Sequence, residues 1–287
     1  MPRRTALAGT LTGLLLAAGA VACRGRSVPP TLPGAALDAP ADSEIPADAF
    51  GAAVRRGLAL LTATRESLPA YAGNALRCTS CHLDAGRRDN GSWVGSFARF
   101  PQYRSRRGAV ELIEDRVNDC FRRSLNGKAL AADGPDMRDI VAYLAFLSQR
   151  TPVGRPSPNT RLQRFAALRA DTAAGRATFG ADCARCHGPE GEGTIIAPPL
   201  WGPESFNIGA GMARVRSAAS FIRDNMPFDR PGTLTDQQAF DVAAFVVGQP
   251  RPDFPGKEYD WPNGDPPPDV AYPTLAASRK AAGRRTP

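Results

Sequence analysis

Histidine is almost absent from this 287-residue chain; there are two, His82 and His187. A centre built from three or four imidazoles is excluded, and so are two centres with a pair of histidines each. Lysine is nearly as scarce, at positions 128, 257 and 280 only, so the net charge of +8 is carried by arginine, whose planar fork suits oxyanions. After residue 22 no apolar run is long enough to cross a bilayer. Alternating apolar and polar residues are also rare, which argues against a sandwich or barrel.

Both histidines close the same motif. The chain reads Cys78-Thr79-Ser80-Cys81-His82 and, 105 residues later, Cys183-Ala184-Arg185-Cys186-His187. Cys-x-x-Cys-His is the attachment pattern of c-type haem: two thioethers to the porphyrin and one axial imidazole. A thioredoxin-like dithiol does not need the histidine and sits in a βαβ pattern absent here. A zinc finger cannot span 105 residues. Two covalent haems follow, with Cys78, Cys81 and His82 holding the first and Cys183, Cys186 and His187 the second. Each iron then takes its sixth ligand from Met, Cys, Lys or water, and no spare histidine exists for peroxidase chemistry.

The amino terminus fits this picture. Arg3-Arg4, an apolar run from Ala6 and Ala20-Val21-Ala22 form a signal peptide over residues 1–22. Cys23 follows at once, as in a lipoprotein, so lipidation of Cys23 is expected. The periplasm is the expected compartment. Residues 23–46 read as a Pro- and Ala-rich tether. Without Arg3 and Arg4 the charge falls to +6, and haem propionates offset part of the rest, so nucleic acid is a poor candidate partner.

The remaining 265 residues suggest two domains, 47–152 and 153–250, with a Pro-rich extension over 251–287. The spacing predicts helices over about 47–68, over 108–125 with Ala109, Leu112, Ile113, Val117 and Phe121 on one face, and after Pro135. Prolines and a glycine in Thr151–Pro158 mark the boundary. The second half repeats the plan, with helices near 162–181 and 218–225 and a capping box at Thr235–Gln238 opening the last. Asp139-Ile140-Val141-Ala142-Tyr143 echoes Asp241-Val242-Ala243-Ala244-Phe245 at an offset of 102. Internal duplication of one haem domain explains both offsets. The fold class expected is all-α: two fused class I cytochrome c domains, each with one covalently attached haem c.

For the second haem, Met226 lies 39 residues after His187, in Asn225-Met226-Pro227, and a loop methionine before proline is a natural soft ligand. Met212 competes. For the first haem the candidates are Cys120, Met137 and Lys128. Four of the six cysteines hold haem and Cys23 is spoken for by the lipid, so Cys120 is left over in an oxidising compartment. It is a thiolate ligand, a buried small hydrophobe or, without lipidation, the partner of Cys23 in a disulfide. Arg116 precedes Cys120 by one helical turn and shares its face; Arg106 lies just before that helix. Guanidinium beside a thiolate favours anionic sulfur and divalent oxyanions.

The segments Phe100–Arg106 and Glu114-Asp115-Arg116-Val117-Asn118-Asp119-Cys120-Phe121-Arg122-Arg123-Ser124-Leu125-Asn126-Gly127 resemble the dihaem thiosulfate dehydrogenases, which also act as tetrathionate reductases. The tail, through Arg251–Phe254, Asp260-Trp261-Pro262 and Tyr272-Pro273-Thr274, is similar to theirs as well. The resemblance implies the reaction 2 S₂O₃²⁻ → S₄O₆²⁻ + 2e⁻ or its reverse. It implies His82/Cys120 ligation at an active haem and Met226 at an electron-transfer haem, with Arg106, Arg116 and Ser124 at the substrate. Some relatives carry Lys where this chain has Asn225, so plain His187/Met226 ligation is expected. A small soluble cytochrome c or a copper protein is the expected electron acceptor. Two alternatives stand beside this: a dihaem electron carrier with Met137 at the first haem, and a haem subunit of a larger sulfur-oxidising complex.

Overall fold

A computed structural model of the chain describes residues 38–154 and 168–283. The expected signal peptide, Cys23, most of the tether and part of the 151–158 boundary lie outside the described residues. Helix α1 (Ala49–Thr62) starts where the Asp48 carboxylate accepts the Gly51 amide at 2.9 Å, the usual way to satisfy a first-turn N–H. After a break at Ala63, one more turn, α2 (Thr64–Ser67), leads to the first Cys-x-x-Cys-His. Next comes a hairpin, β1 (Gln102–Arg104) and β2 (Ala109–Glu111), the only sheet among the described residues. Then follow α3 (Ile113–Arg123) and α4 (Pro135–Leu147). The expected helix over 108–125 is thus a strand at its start. The loop Ser105–Gly108 turns back through Gly108 at φ 64, and this glycine is the signal that the helical reading passed over.

The second half carries α5 (Thr172–Thr178), a π-helical stretch Phe179–Cys183, α6 (Ala184–His187), α7 (Val215–Asn225) and α8 (Asp236–Val247). The expected helix over 162–181 falls partly outside the described residues and, where described, begins at Thr172. The capping box has both arms: the Gln238 amide donates to Thr235 Oγ1 at 3.2 Å, and the Thr235 amide to Gln238 Oε1 at 2.9 Å. The tail is irregular until α9 (Leu275–Gly283), an Ala-rich helix.

The duplication is visible as a repeated crossing. Helix α1 packs on α4 and α5 on α8. A Cβ at Gly57 would lie 2.0 Å from the Asp139 carbonyl oxygen, and one at Gly175 would lie 2.1 Å from that of Asp241. Only glycine lets the helix backbones approach this closely. The two aspartates that betrayed the repeat also fix these crossings. Asp139 takes a bidentate pair from Arg56 at 2.6 and 2.8 Å, and Asp241 accepts the Asp171 amide at 2.8 Å.

The two halves belong to one compact unit. Phe206, Ala210 and Ala213 of the second half are buried in the core of the first, with Phe121, Met137 and Tyr143. Buried asparagines seal the seam. Asn74 Nδ2 donates to the carbonyls of Ser124 and Ser205 at 2.9 and 3.0 Å, and Asn207 Nδ2 to that of Arg122 at 2.9 Å.

Candidate functional site: a cysteine facing the first haem motif

Helix α3 presents the left-over cysteine. Its first turn holds Glu114 and Asp115 and its last Arg122 and Arg123, charges that complement the helix dipole. Asp115 also takes the Leu112 amide at 2.9 Å. Ile113 and Phe121 face the core, which turns Arg116, Cys120 and Ser124 onto one stripe one helical turn apart. Ser124 is the C-cap, its amide donating to the Cys120 carbonyl at 2.8 Å. Arg116 Nη1 donates to Cys120 Sγ at 2.9 Å. The field of that sulfur is the main cause of the upward shift of Arg116.

Cys120 and Ser124 line a cleft whose other walls include Cys78, Cys81, His82, Leu61, Leu76, Trp93, Phe121 and Leu144. Apart from the motif residues, Arg77, Cys120 and Ser124, the wall is apolar, as a porphyrin face requires. Trp93 stacks on the His82 ring at 4.7 Å. The His82 Nδ1–H donates to the Gly91 carbonyl, which fixes the tautomer and leaves the other nitrogen for iron. Burial holds His82 down to about 4, so the ring is neutral, as a ligand must be. Burial pushes the thiols of Cys78 and Cys81 up to about 12; as free groups they would stay protonated. Among the described residues, no three His, Cys, Asp or Glu side chains converge as a metal-binding group. The residues present fit a covalent haem.

The second motif repeats the device. His187 Nδ1–H donates to the Pro198 carbonyl at 2.8 Å, and burial lowers the ring's basicity. Met226 is the C-cap of α7 and half-buried. The loop after it is tied to the motif by Arg185–Asp229 at 2.6 Å and by Arg230–Asp182. Met212 packs between the cores of the two halves. Met137 is fully buried in the first core and does not line the cavity; Lys128 is exposed.

Arg106 sits elsewhere than on the cavity wall. It lies at the hairpin tip, where Nη1 donates to the Gly209 carbonyl at 2.6 Å and the guanidinium stacks over Trp261 at 4.6 Å. Asp260 lies 3.9 Å from its Nε. Asp260 itself pairs bidentately with Arg123 at 2.8 and 2.9 Å and accepts the Tyr272 hydroxyl at 2.6 Å. Sequence reasoning missed Arg123, Asp260, Tyr272 and Trp93. Nothing local marks a buried arginine among 33. The carbonyls of Gly91 and Pro198 leave no side-chain signal at all.

The family described as SoxA/TsdA, cytochrome c domain, matches residues 70–153, and that described as cytochrome c oxidase, cbb3-type, subunit III, matches residues 170–246. A thiosulfate dehydrogenase of Psychrobacter arcticus is 44% identical over 80% of this chain and 73% of its own. That of Allochromatium vinosum is 43% identical over 84% of this chain and 92% of its own. The chain belongs to the dihaem thiosulfate dehydrogenase family. It is an oxidoreductase with two fused class I cytochrome c domains and two covalently bound haems c. The solved thiosulfate dehydrogenase TsdBA of Marichromatium purpuratum, in its as-isolated form, superposes with a TM-score of 0.67 at 33% identity. It covers 76% of this chain, which spans half the length of that one.

Proposed function

We propose that this chain oxidises two thiosulfates to tetrathionate, or runs the reverse, with Cys120 as the sulfur that would help hold the first haem and as the group that carries substrate. The observation behind this reading is the cavity that joins both thiols and the imidazole of the first motif to Cys120, with Arg116 bonded to its sulfur. The names of the relatives supply the substrate.

Cys78, Cys81 and His82 would hold one haem, and Cys183, Cys186, His187 and Met226 the other. Once bound, the haems supply two one-electron acceptors per tetrathionate. The chain's own residues do the rest. The Cys120 thiolate and the terminal sulfur of one thiosulfate form an S–S bond as two electrons leave. The terminal sulfur of a second thiosulfate then attacks that bound sulfur, releasing tetrathionate and restoring the thiolate, as in thiol–disulfide exchange. Arg116 donates a hydrogen bond to the sulfur, and Ser124 offers a hydroxyl on the cavity wall. Arg106, held at the hairpin tip, serves the sulfonate from outside that wall. The second haem would relay electrons to a small soluble cytochrome c or similar acceptor, and we place the chain in the periplasm with Cys23 as lipid anchor.

The test is reduction of the oxidised holoprotein by thiosulfate, followed in the visible spectrum, for wild type and Cys120→Gly. Reduction lost in the variant supports the reading. Equal reduction in both removes Cys120 from the chemistry. No reduction of wild type by thiosulfate, and no oxidation by tetrathionate, leaves an electron carrier or a subunit that needs a partner.

A further inference from the structure

We propose that Trp93 is a positioning residue of the first haem: its indole fixes the plane of the His82 imidazole and so tunes the iron at which thiosulfate is oxidised. One short segment grips His82 at two points. The ring's Nδ1–H donates to the Gly91 carbonyl. Two residues on, the Trp93 indole is stacked on the same ring, with centroids 4.7 Å apart and planes inclined by 30°. The hydrogen bond holds one edge of the imidazole and the stack holds its face. Together they stop the ring from turning about its Cβ–Cγ bond.

Trp93 can do this because it is itself held. It is buried, and its amide donates to the Gly86 carbonyl at 2.7 Å. Its ring lies where a Gly86 side chain would be, since a Cβ there would sit 2.0 Å from Cε3. The fully buried Tyr143 meets the indole edge-on at 6.2 Å. Tyr143 is fixed in turn: its hydroxyl donates to the Ala85 carbonyl at 2.8 Å and accepts Arg87 Nη1 at 2.6 Å. A ligand ring keeps its geometry only when the groups supporting it are locked by packing and hydrogen bonds.

The second half builds the same tryptophan and turns it elsewhere. Trp201 also covers a glycine, a Gly191 Cβ lying 2.5 Å from its ring. It also meets an aromatic ring edge-on, Phe245 at 5.9 Å, and Phe245 is the counterpart of Tyr143 in the repeat. Yet Trp201 packs onto Phe179 at 5.1 Å, and among the described residues it does not stack on His187. Both histidines donate Nδ1–H to a carbonyl; the stack belongs to the first alone. Contacts around an axial ligand are levers on the potential of haem iron. The proposal rests on the reading of His82 as axial ligand of the haem at which thiosulfate reacts.

Holoproteins carrying Trp93→Leu, Trp93→Phe and, as the matching change in the second half, Trp201→Leu are compared with wild type. The readouts are electron paramagnetic resonance of the oxidised proteins, whose g values follow the orientation of axial ligand planes, and redox titration. Trp93→Leu should shift the g values and midpoint potential of one haem, the one whose signals change in Cys120→Gly, and leave those of the other in place. Trp93→Phe keeps an aromatic face against His82 and should return both towards wild type. Trp201→Leu should lose stability to denaturant, as Trp93→Leu does, with both sets of g values unchanged. For thiosulfate, Trp93→Leu should lower kcat about three-fold with KM within about two-fold of wild type, as for a group that acts on the iron and not on substrate binding. Unchanged g values and potential in Trp93→Leu overturn the proposal. So does an equal shift of the second haem's g values by Trp201→Leu, because the loss of any core aromatic would then suffice. If wild type neither oxidises thiosulfate nor reduces tetrathionate, the functional reading fails separately, and a shift confined to the first haem in Trp93→Leu still upholds the positioning role.

Discussion

Removing the Asp260 carboxylate tests how the tail holds the hairpin. Asp260 is 5% exposed and meets two Arg123 nitrogens at 2.8 and 2.9 Å, the Tyr272 hydroxyl at 2.6 Å and, more loosely, Arg106 at 3.9 Å. Arg123 is 4% exposed, so Asp260→Ala leaves a buried cation with Asp119, 3.6 Å from its Nε and shared with Arg122, as its remaining counter-ion. Breaking such a pair from one side costs about 3–5 kcal/mol. At 2–4 °C per kcal/mol for a chain of this size, the melting temperature falls by roughly 6–20 °C. Replacing both partners, Asp260→Leu with Arg123→Leu, recovers much of that loss, because no charge is stranded. The assay is denaturant unfolding of the holoproteins at neutral pH. An Asp260→Ala protein within about 1 kcal/mol of wild type, the range of exposed pairs, refutes the buried-pair argument. A double variant as unstable as the sum of the two singles refutes the coupling.

Three further outcomes are expected. Asn90→Gly keeps the left-handed backbone that Asn90 adopts at φ 55 but removes an amide that donates to the Ser220 carbonyl at 2.6 Å and to Asp224 at 2.8 Å. Since the next residue, Gly91, orients His82 and this contact ends beside Met226, redox titration should show both haem potentials moving. A shift in one alone disproves the link. Gly57→Ala and Gly175→Ala force a methyl group 2.0 and 2.1 Å from a carbonyl oxygen and should each cost about 1–3 kcal/mol, the usual price of overpacking; a neutral effect on the denaturant midpoint sinks the crossing argument. Tyr272 is pushed up to about 12 by burial and by its bond to Asp260. Its contribution to stability is therefore complete below about pH 10 and fades as pH rises to 12. Denaturant unfolding should show wild type losing stability over that window, and Tyr272→Phe should lose less of it.

The helices after Pro135 and Thr235 were legible because proline and a capping box mark their starts. The duplication was legible because two haem motifs and two Asp-led helices repeat at nearly the same offset. Cys120 stood out by arithmetic, as the cysteine left once the motifs and Cys23 were assigned. The hairpin was not legible: three-residue strands carry too little alternation, and Ala109 and Leu112 fit a helical stripe equally well. Nor was the seam between the halves. It is made by asparagine side chains reaching backbone carbonyls more than 50 residues away or across the duplication, and hydrogen bonds to backbone follow no sequence spacing.

Three arginines near the second motif have their acid: Arg185 has Asp229, Arg230 has Asp182, and Arg223 has Asp236 at 2.8 Å. Such pairs are mostly exposed, hold loops in place and leave no net field for a substrate anion. Beside Cys120 an arginine meets sulfur instead: Arg116 Nη1 donates to Sγ at 2.9 Å, and the adjacent Asp119 serves Arg122 and Arg123 at 3.6 Å each. A guanidinium that pairs with sulfur rather than with an acid keeps a planar fork that can grip an oxyanion with two bonds, a geometry that lysine lacks.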